Sequence, residues 1–146
     1  MSDYPATSVH FQVSIDGADI GTFTSCEGLE LQLEVDTWTE GGHNEFVHQL
    51  PRRIKYSNIR LTRPVGADSY KIQQWFDKLS SGLKPTSARI VALTHRSGEE
   101  LAPLVAWTLS EVIPIRWQGP SFTVESAKVA SETLELAHHG FKFEKA

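Results

Sequence analysis

Histidine is the first residue type to test for chemistry, because imidazole ligates metals and moves protons near neutral pH, and the chain has six. His138 and His139 are adjacent on a strand-like segment, so their side chains leave opposite faces and cannot hold one ion together. His43 and His48 flank Glu45 in a glycine-bearing stretch, at a spacing that matches no zinc or transition-metal frame. Structural or surface roles are expected for all of them. Glu30, Glu34 and Asp36 share one strand face, where residues two apart lie about 7 Å from each other and project in parallel. Paired acid–base catalysis needs two carboxyls converging across a cleft, which this arrangement does not give. They read as a solvated acidic face or the wall of a wet channel.

The remaining motifs are equally bland. Asp16-Gly17-Ala18-Asp19 lacks the later ligands of a calcium loop and reads as a hairpin turn. Serines occur without a Gly-x-Ser-x-Gly elbow, and no phosphate-cradling glycine loop is present. The single cysteine, Cys26, excludes an internal disulfide and a cysteine zinc cage, and reads as a small buried or half-buried residue. Arg52-Arg53-Ile54-Lys55, with Arg60 and Arg63 beyond, is the one cationic cluster, placed to pair with carboxylates of a neighbour. No catalytic, cofactor-binding or metal-binding residue is expected, and the chain does not read as an enzyme.

The elements that carry these residues follow mostly a period of two. Val9 to Ile15 alternates apolar and polar residues without error, Asp16-Gly17 turns, and Ala18 to Thr24 returns. Leu29 to Asp36 alternates four aliphatics with three carboxylates and an amide. From Thr37 to Leu50 the pattern lapses around Gly41-Gly42 and predicts a loop, although Trp38, Phe46 and Val47 punctuate it. Ile54 and Tyr56 are out of phase with Ile59 and Leu61, which a bulge at Ser57-Asn58 would reconcile. Ile72, Trp75, Phe76 and Leu79 fall at helical spacing and predict a helix over about 69–81, begun at Asp68 or Ser69 and closed by a left-handed Gly82. Strands resume over Ala88–His95, Leu101–Leu109, Val112–Trp117, with Pro114 at an edge or bulge, and Ala127–His138. The sum is a mainly β fold: an antiparallel barrel, or two-sheet barrel, with one flanking α-helix.

Composition agrees with a single domain over residues 1–146. The 146 residues are 40% hydrophobic and 22% charged, close to globular averages. The net charge of −4 argues against a dedicated, sequence-specific nucleic-acid binder. No apolar run approaches the ~20 residues that span a bilayer, and the start lacks a secretory signal, so synthesis in the cytoplasm is expected. Aromatics outside the helix, Trp38, Phe46, Trp107 and Trp117, together with exposed strand edges, are liabilities in a monomer and point to an assembly module.

Taken in order, the segments resemble the tail-tube family of contractile phage tails and phage-tail-like contractile injection systems. The resemblance is carried by Phe11–Gly17, Phe23–Leu29, Glu40-Gly41-Gly42-His43-Asn44, Leu50–Arg63, Trp75-Phe76, Pro114–Trp117 and Glu132–Phe141. Such proteins share the fold of the haemolysin-coregulated protein of type VI secretion, a barrel with one helix that forms stacked six-membered rings. The resemblance implies a non-enzymatic subunit of an inner tube, with partners in its own copies, a sheath, baseplate or spike and cap proteins, and a protein cargo in the lumen. It implies a ring-stacking loop over Asp36 to Leu50, with Asp36, Trp38, Glu40, Gly41, Gly42, His43, Asn44 and Phe46 engaged. A polar face with Glu30, Gln32 and Glu34 would line the lumen, and Lys71, Gln74 and Lys78 would lie on an outer helix. The particle would stay in the cytoplasm or be released. Arg52-Arg53 stands where many bulk tube subunits carry a glycine-bearing turn. The bulk subunit is the favoured reading, ahead of a tube-initiating or adaptor ring at the baseplate end and a secreted, type VI-like hexameric effector carrier.

Overall fold

A computed structural model describes residues 9–39, 47–82, 84–95, 101–120 and 130–144. Its elements run β1 (Val9–Ile15), β2 (Ala18–Phe23), β3 (Ser25–Glu27), β4 (Leu31–Thr39), β5 (Val47–Tyr56), β6 (Ile59–Pro64), α1 (Ser69–Ser80), β7 (Thr86–His95), β8 (Leu101–Gln118), β9 (Ser131–Ala137) and β10 (Phe141–Glu144). All pairings among them are antiparallel.

The main sheet follows the order β2-β1-β7-β8-β9-β6-β3, with β10 on β8. Both ends of that path belong to one chain segment. β2 and β3 are separated only by Thr24, whose N–H donates to the Thr62 carbonyl at 2.9 Å. The sheet therefore closes on residues 18–27, and the barrel is made of two sheets sharing a bent strand at each corner. The second corner is β8, 18 residues long, which pairs with β7 and β10 in its first part and β9 in its last. Its bend falls at Glu111, held at φ 53°. Pro114 sits inside β8 beside a register shift, so the bulge absorbs its missing donor.

The interior is filled by the alternate residues that point inward, Val13 and Ile15, Ile59 and Leu61, Leu134 and Leu136, and by Ile20 and Phe23, which lie either side of the irregular register in β2. Phe11 packs against this core only in part. The turn at Asp16-Gly17 has both residues at positive φ, 50° and 82°, as a two-residue hairpin loop requires. Asp16 Oδ1 accepts from the Ser87 N–H at 3.1 Å and ties that turn to β7. The helix forms where its period predicted, burying Ile72 and Trp75 and leaning Phe76 and Leu79 on the barrel. Asp68 occupies the N-cap position without a side-chain cap, its carboxylate paired instead with Lys71 at 2.9 Å.

Four expectations change. Gly82 is not left-handed; the helix ends through its N–H on the Leu79 carbonyl at 3.1 Å, so no αL residue is needed. Leu101–Leu109 and Val112–Trp117 are one strand. Ser57-Asn58 is no bulge: β5 and β6 belong to different sheets, so Ile54 and Ile59 need not share a face. The predicted loop from Thr37 to Leu50 begins later and ends earlier, since β4 reaches Thr39 and β5 starts at Val47. Asp36 and Trp38 are thus strand residues, opposite Leu50 and His48. Glu40, Gly41, Gly42, His43, Asn44 and Phe46 lie outside the described residues, as does the start of the predicted Ala127–His138 strand.

Candidate assembly surface

The β4–β5 hairpin forms its own two-stranded sheet, apart from the barrel. Directly opposed residues on antiparallel strands share a face. Leu31 lies opposite Tyr56, Leu33 opposite Ile54 and Val35 opposite Pro51, which gathers these apolar side chains on one side, while Leu50, opposite Asp36 and 54% exposed, falls on the other. In a core strand these would be covered; here Leu31, Leu33, Val35 and Ile54 are 55%, 48%, 44% and 50% exposed. Alternation alone cannot report this, because it records that a strand has an apolar face and not what meets it.

The other face holds the carboxylates. Arg53 Nε lies 3.5 Å from Glu34 and Arg52 Nε 3.3 Å from Asp36, and Gln32 is opposite Lys55. The Arg52-Arg53 cluster therefore answers the acidic face of its own hairpin. The extra residue of β5 at the Leu33/Val35 register shift lets two successive arginines serve one strand's acids. These pairs are exposed and contribute little to stability. What they do is make this face nearly charge-compensated. Of the residues predicted for the polar face, Gln32 and Glu34 lie on it, while Glu30 is at the root, accepting from the Ser57 hydroxyl at 2.5 Å.

The hairpin is anchored at that root. Gly28, at φ 95°, packs so closely on the Asn58 carbonyl that a Cβ would collide with backbone. The Gly140 N–H donates to His138 Nδ1 at 3.0 Å, so Nε2 carries the ring proton and donates to the Ser57 carbonyl at 2.8 Å. Tyr56 packs against both His138 and Phe141, at ring distances of 5.6 and 5.3 Å. His138 thus has the structural role its sequence setting suggested. His139 is exposed beyond the end of β9.

Sequence reasoning missed one constellation. Arg63 and Glu132 are both buried in the barrel, 2.7 Å apart. Arg63 also donates to the carbonyls of Ile20 at 2.7 Å and Asp68 at 3.0 Å, and lies over the Phe23 ring. The second oxygen of Glu132 accepts from Trp117 Nε1 at 3.2 Å. The signal was available: Arg63 continues the inward phase of Ile59 and Leu61, and Glu132 that of Leu134 and Leu136. Gly21 is required beside it, since a Cβ there would meet the Arg63 guanidinium.

The predicted outer-helix residues lie along α1. Gln74 and Lys78 are exposed beside a cleft bounded by the β1–β2 turn, and Lys71 is tied to Asp68. Burial, reinforced by the Glu27 charge, pushes the Cys26 thiol up to about 12, which leaves it protonated and unreactive. Among the described residues no group of His, Cys, Asp and Glu could hold a metal ion. No helix among them is long and apolar enough to cross a membrane.

Comparison with known proteins agrees with this architecture. A family model described as T4-like virus tail tube protein gp19 matches residues 7–142. A chain in the baseplate of the anti-feeding prophage is 25% identical, with a TM-score of 0.76 over 99% of this chain and 98% of that one. A chain in the extended sheath–tube complex of the extracellular contractile injection system PVC is 20% identical, with a TM-score of 0.78 over 99% and 94%. The Hcp1 protein of E. coli EAEC 042 shares the fold at 14% identity and a TM-score of 0.54, over 96% and 92%. None of the curated proteins compared with the chain matches it.

Proposed function

The chain belongs to the T4-like virus tail tube protein gp19 family, and from that premise we propose that it is a structural subunit of the inner tube of a contractile, phage-tail-like injection particle. Six copies form a ring, and rings stack around a lumen that holds or conducts a protein cargo. The observation that carries this reading is the β4–β5 hairpin: a ribbon with one exposed apolar face and one charge-compensated face. An isolated two-stranded hairpin is at best marginal in water, so this one needs a covering partner. The segment from Asp36 to Leu50 makes the contact with the next ring. Gln32 and Glu34, the latter paired with Arg53, present a wetted wall to which cargo does not adhere. The exposed helix residues Lys71, Gln74 and Lys78 face a sheath, and the particle acts outside the cell that made it, with a baseplate at one end and a cap at the other. The work is mechanical, and no catalytic step is assigned.

Negative-stain microscopy of the concentrated protein tests this. Six-membered rings or short tubes are expected; a strictly monomeric protein across concentration and salt would refute it. A second reading, a tube-initiating ring, is favoured by the similarity to a chain of a baseplate assembly. Rings that never elongate would select it.

A further inference from the structure

A cleft of about 660 Å³ lies between α1 and the β1–β2 turn, a size typical of sites that hold small ligands. Its apolar lining includes Ile20, Trp75, Leu79 and Tyr70, the last 57% exposed. Trp75 is 7% exposed, and its buried indole N–H has no hydrogen-bond partner among the described residues. Folded chains rarely leave such a donor unmet.

Two cations at the rim are also unanswered. Lys71 is tied to Asp68, but Lys78 and Lys84 have no ion-pair partner among the described residues. The carboxylates that line the cleft are already engaged. Asp16 accepts from the Ser87 N–H at 3.1 Å and from its hydroxyl, and Asp19 accepts from the Gly21 N–H at 2.9 Å and from Gln12. The last carbonyls of α1, which would repel an anion if bare, are covered. The Ser80 hydroxyl donates to the Asp77 carbonyl at 2.7 Å, the Ser81 hydroxyl to that of Lys78 at 2.8 Å, and the Gly82 N–H to that of Leu79 at 3.1 Å. Trp75, Lys78 and Leu79 stand at i, i+3 and i+4 and so share one helix face.

We infer that this cleft binds a small amphipathic monocarboxylate, with its carboxylate at Lys78 and Lys84 and its apolar body over Trp75 and Leu79. A neutral apolar ligand leaves both lysines unanswered, and a cation is repelled by them. The site is complete within one copy, so it stands apart from the tube reading.

Isothermal titration calorimetry of the full chain with sodium dodecanoate, kept below its micelle threshold, tests this. Saturable binding of one molecule per chain is expected, weakened about tenfold when Lys78→Gln and Lys84→Gln are combined. Gly82 supplies a blocking variant, because it lines the cleft, has open space where a Cβ would stand and is not at positive φ. Gly82→Phe should abolish binding and leave the melting temperature unchanged. Dodecyltrimethylammonium has the same tail with the opposite charge, and hexaglutamate has negative charge without an apolar body; neither should bind. Absence of saturable dodecanoate binding, binding indifferent to both variants, or equal binding of the cation would overturn the inference. Tighter binding of hexaglutamate would overturn it too, since the rim would then be an acidic-peptide surface. All of these outcomes leave ring formation untouched, so failure here is distinguishable from failure of the tube reading.

Discussion

Arg63 and Glu132 face each other across the β6–β9 ladder, Nε to Oε1 at 2.7 Å, with side chains only 5% and 0% exposed. The pair joins five parts of the molecule, β6, β9, β2, the start of α1 and β8, because Arg63 also binds the Ile20 and Asp68 carbonyls and Glu132 holds Trp117. Removing one partner leaves the other charge buried and uncompensated, which costs about 3–5 kcal/mol. Glu132→Ala should show that loss in urea unfolding, whereas Arg63→Met with Glu132→Leu should recover much of it. Near-neutral single variants would show that the pair carries little structural weight.

The hairpin root makes a different demand. Gly28 combines a positive φ with a backbone neighbour that cannot move aside, so Gly28→Ala should cost about 1–3 kcal/mol. The amides of residues 31–36, 50 and 52–55 should lose hydrogen-exchange protection before those of β7 and β8. Uniform loss across the barrel would mean that the hairpin does not move as a separate unit.

Cys26 gives a chemical readout of barrel integrity. With its thiol at about 12, iodoacetamide at pH 8 should leave it unmodified in the folded protein and modify it readily in urea. Rapid labelling of the native protein would contradict its burial.

Acid should weaken two surface ties. The Thr108 hydroxyl, then Arg89, holds Glu144 below its ordinary value of 4.5, and hydrogen bonding from Lys71 does the same for Asp68, ordinarily at 3.8. A carboxylate with a lowered folded-state pKa contributes stability that is present above its unfolded pKa and lost as pH falls through the folded one. The stability difference between wild type and Glu144→Gln should therefore be present at pH 6 and shrink on titration below about 4.5. A difference that grows on acidification would reverse the assignment.

Much of the barrel was legible because a closed sheet imposes period two on every strand with one covered face. Val9–Ile15 and the helix at Ile72, Trp75, Phe76 and Leu79 show this directly. The hairpin was harder to read for a physical reason. Leu31, Leu33 and Val35 alternate as well as any core strand, because alternation reports an apolar face and not whether that face is covered, and here it is exposed. Past Asp36 the alternation fades, so Thr37 to Thr39, the end of β4, read as the start of a loop. Arg63 and Glu132 hid in plain phase with their apolar neighbours, since a buried ion pair obeys the inward register without obeying its composition. The acidic face was visible, but its arginine partners one strand away were not, because pairing depends on a register shift that the sequence does not display.

The central claim is that the hairpin's apolar face is covered by another copy of the chain. Sedimentation velocity on Leu33→Asp beside wild type tests it most directly, because Leu33 is exposed in the monomer and its replacement should not disturb folding. The expected result is ring-sized wild type and a variant that sediments as a monomer with unchanged circular dichroism and melting temperature. A variant that still assembles, or one that unfolds as a Phe23→Ala core variant would, contradicts it.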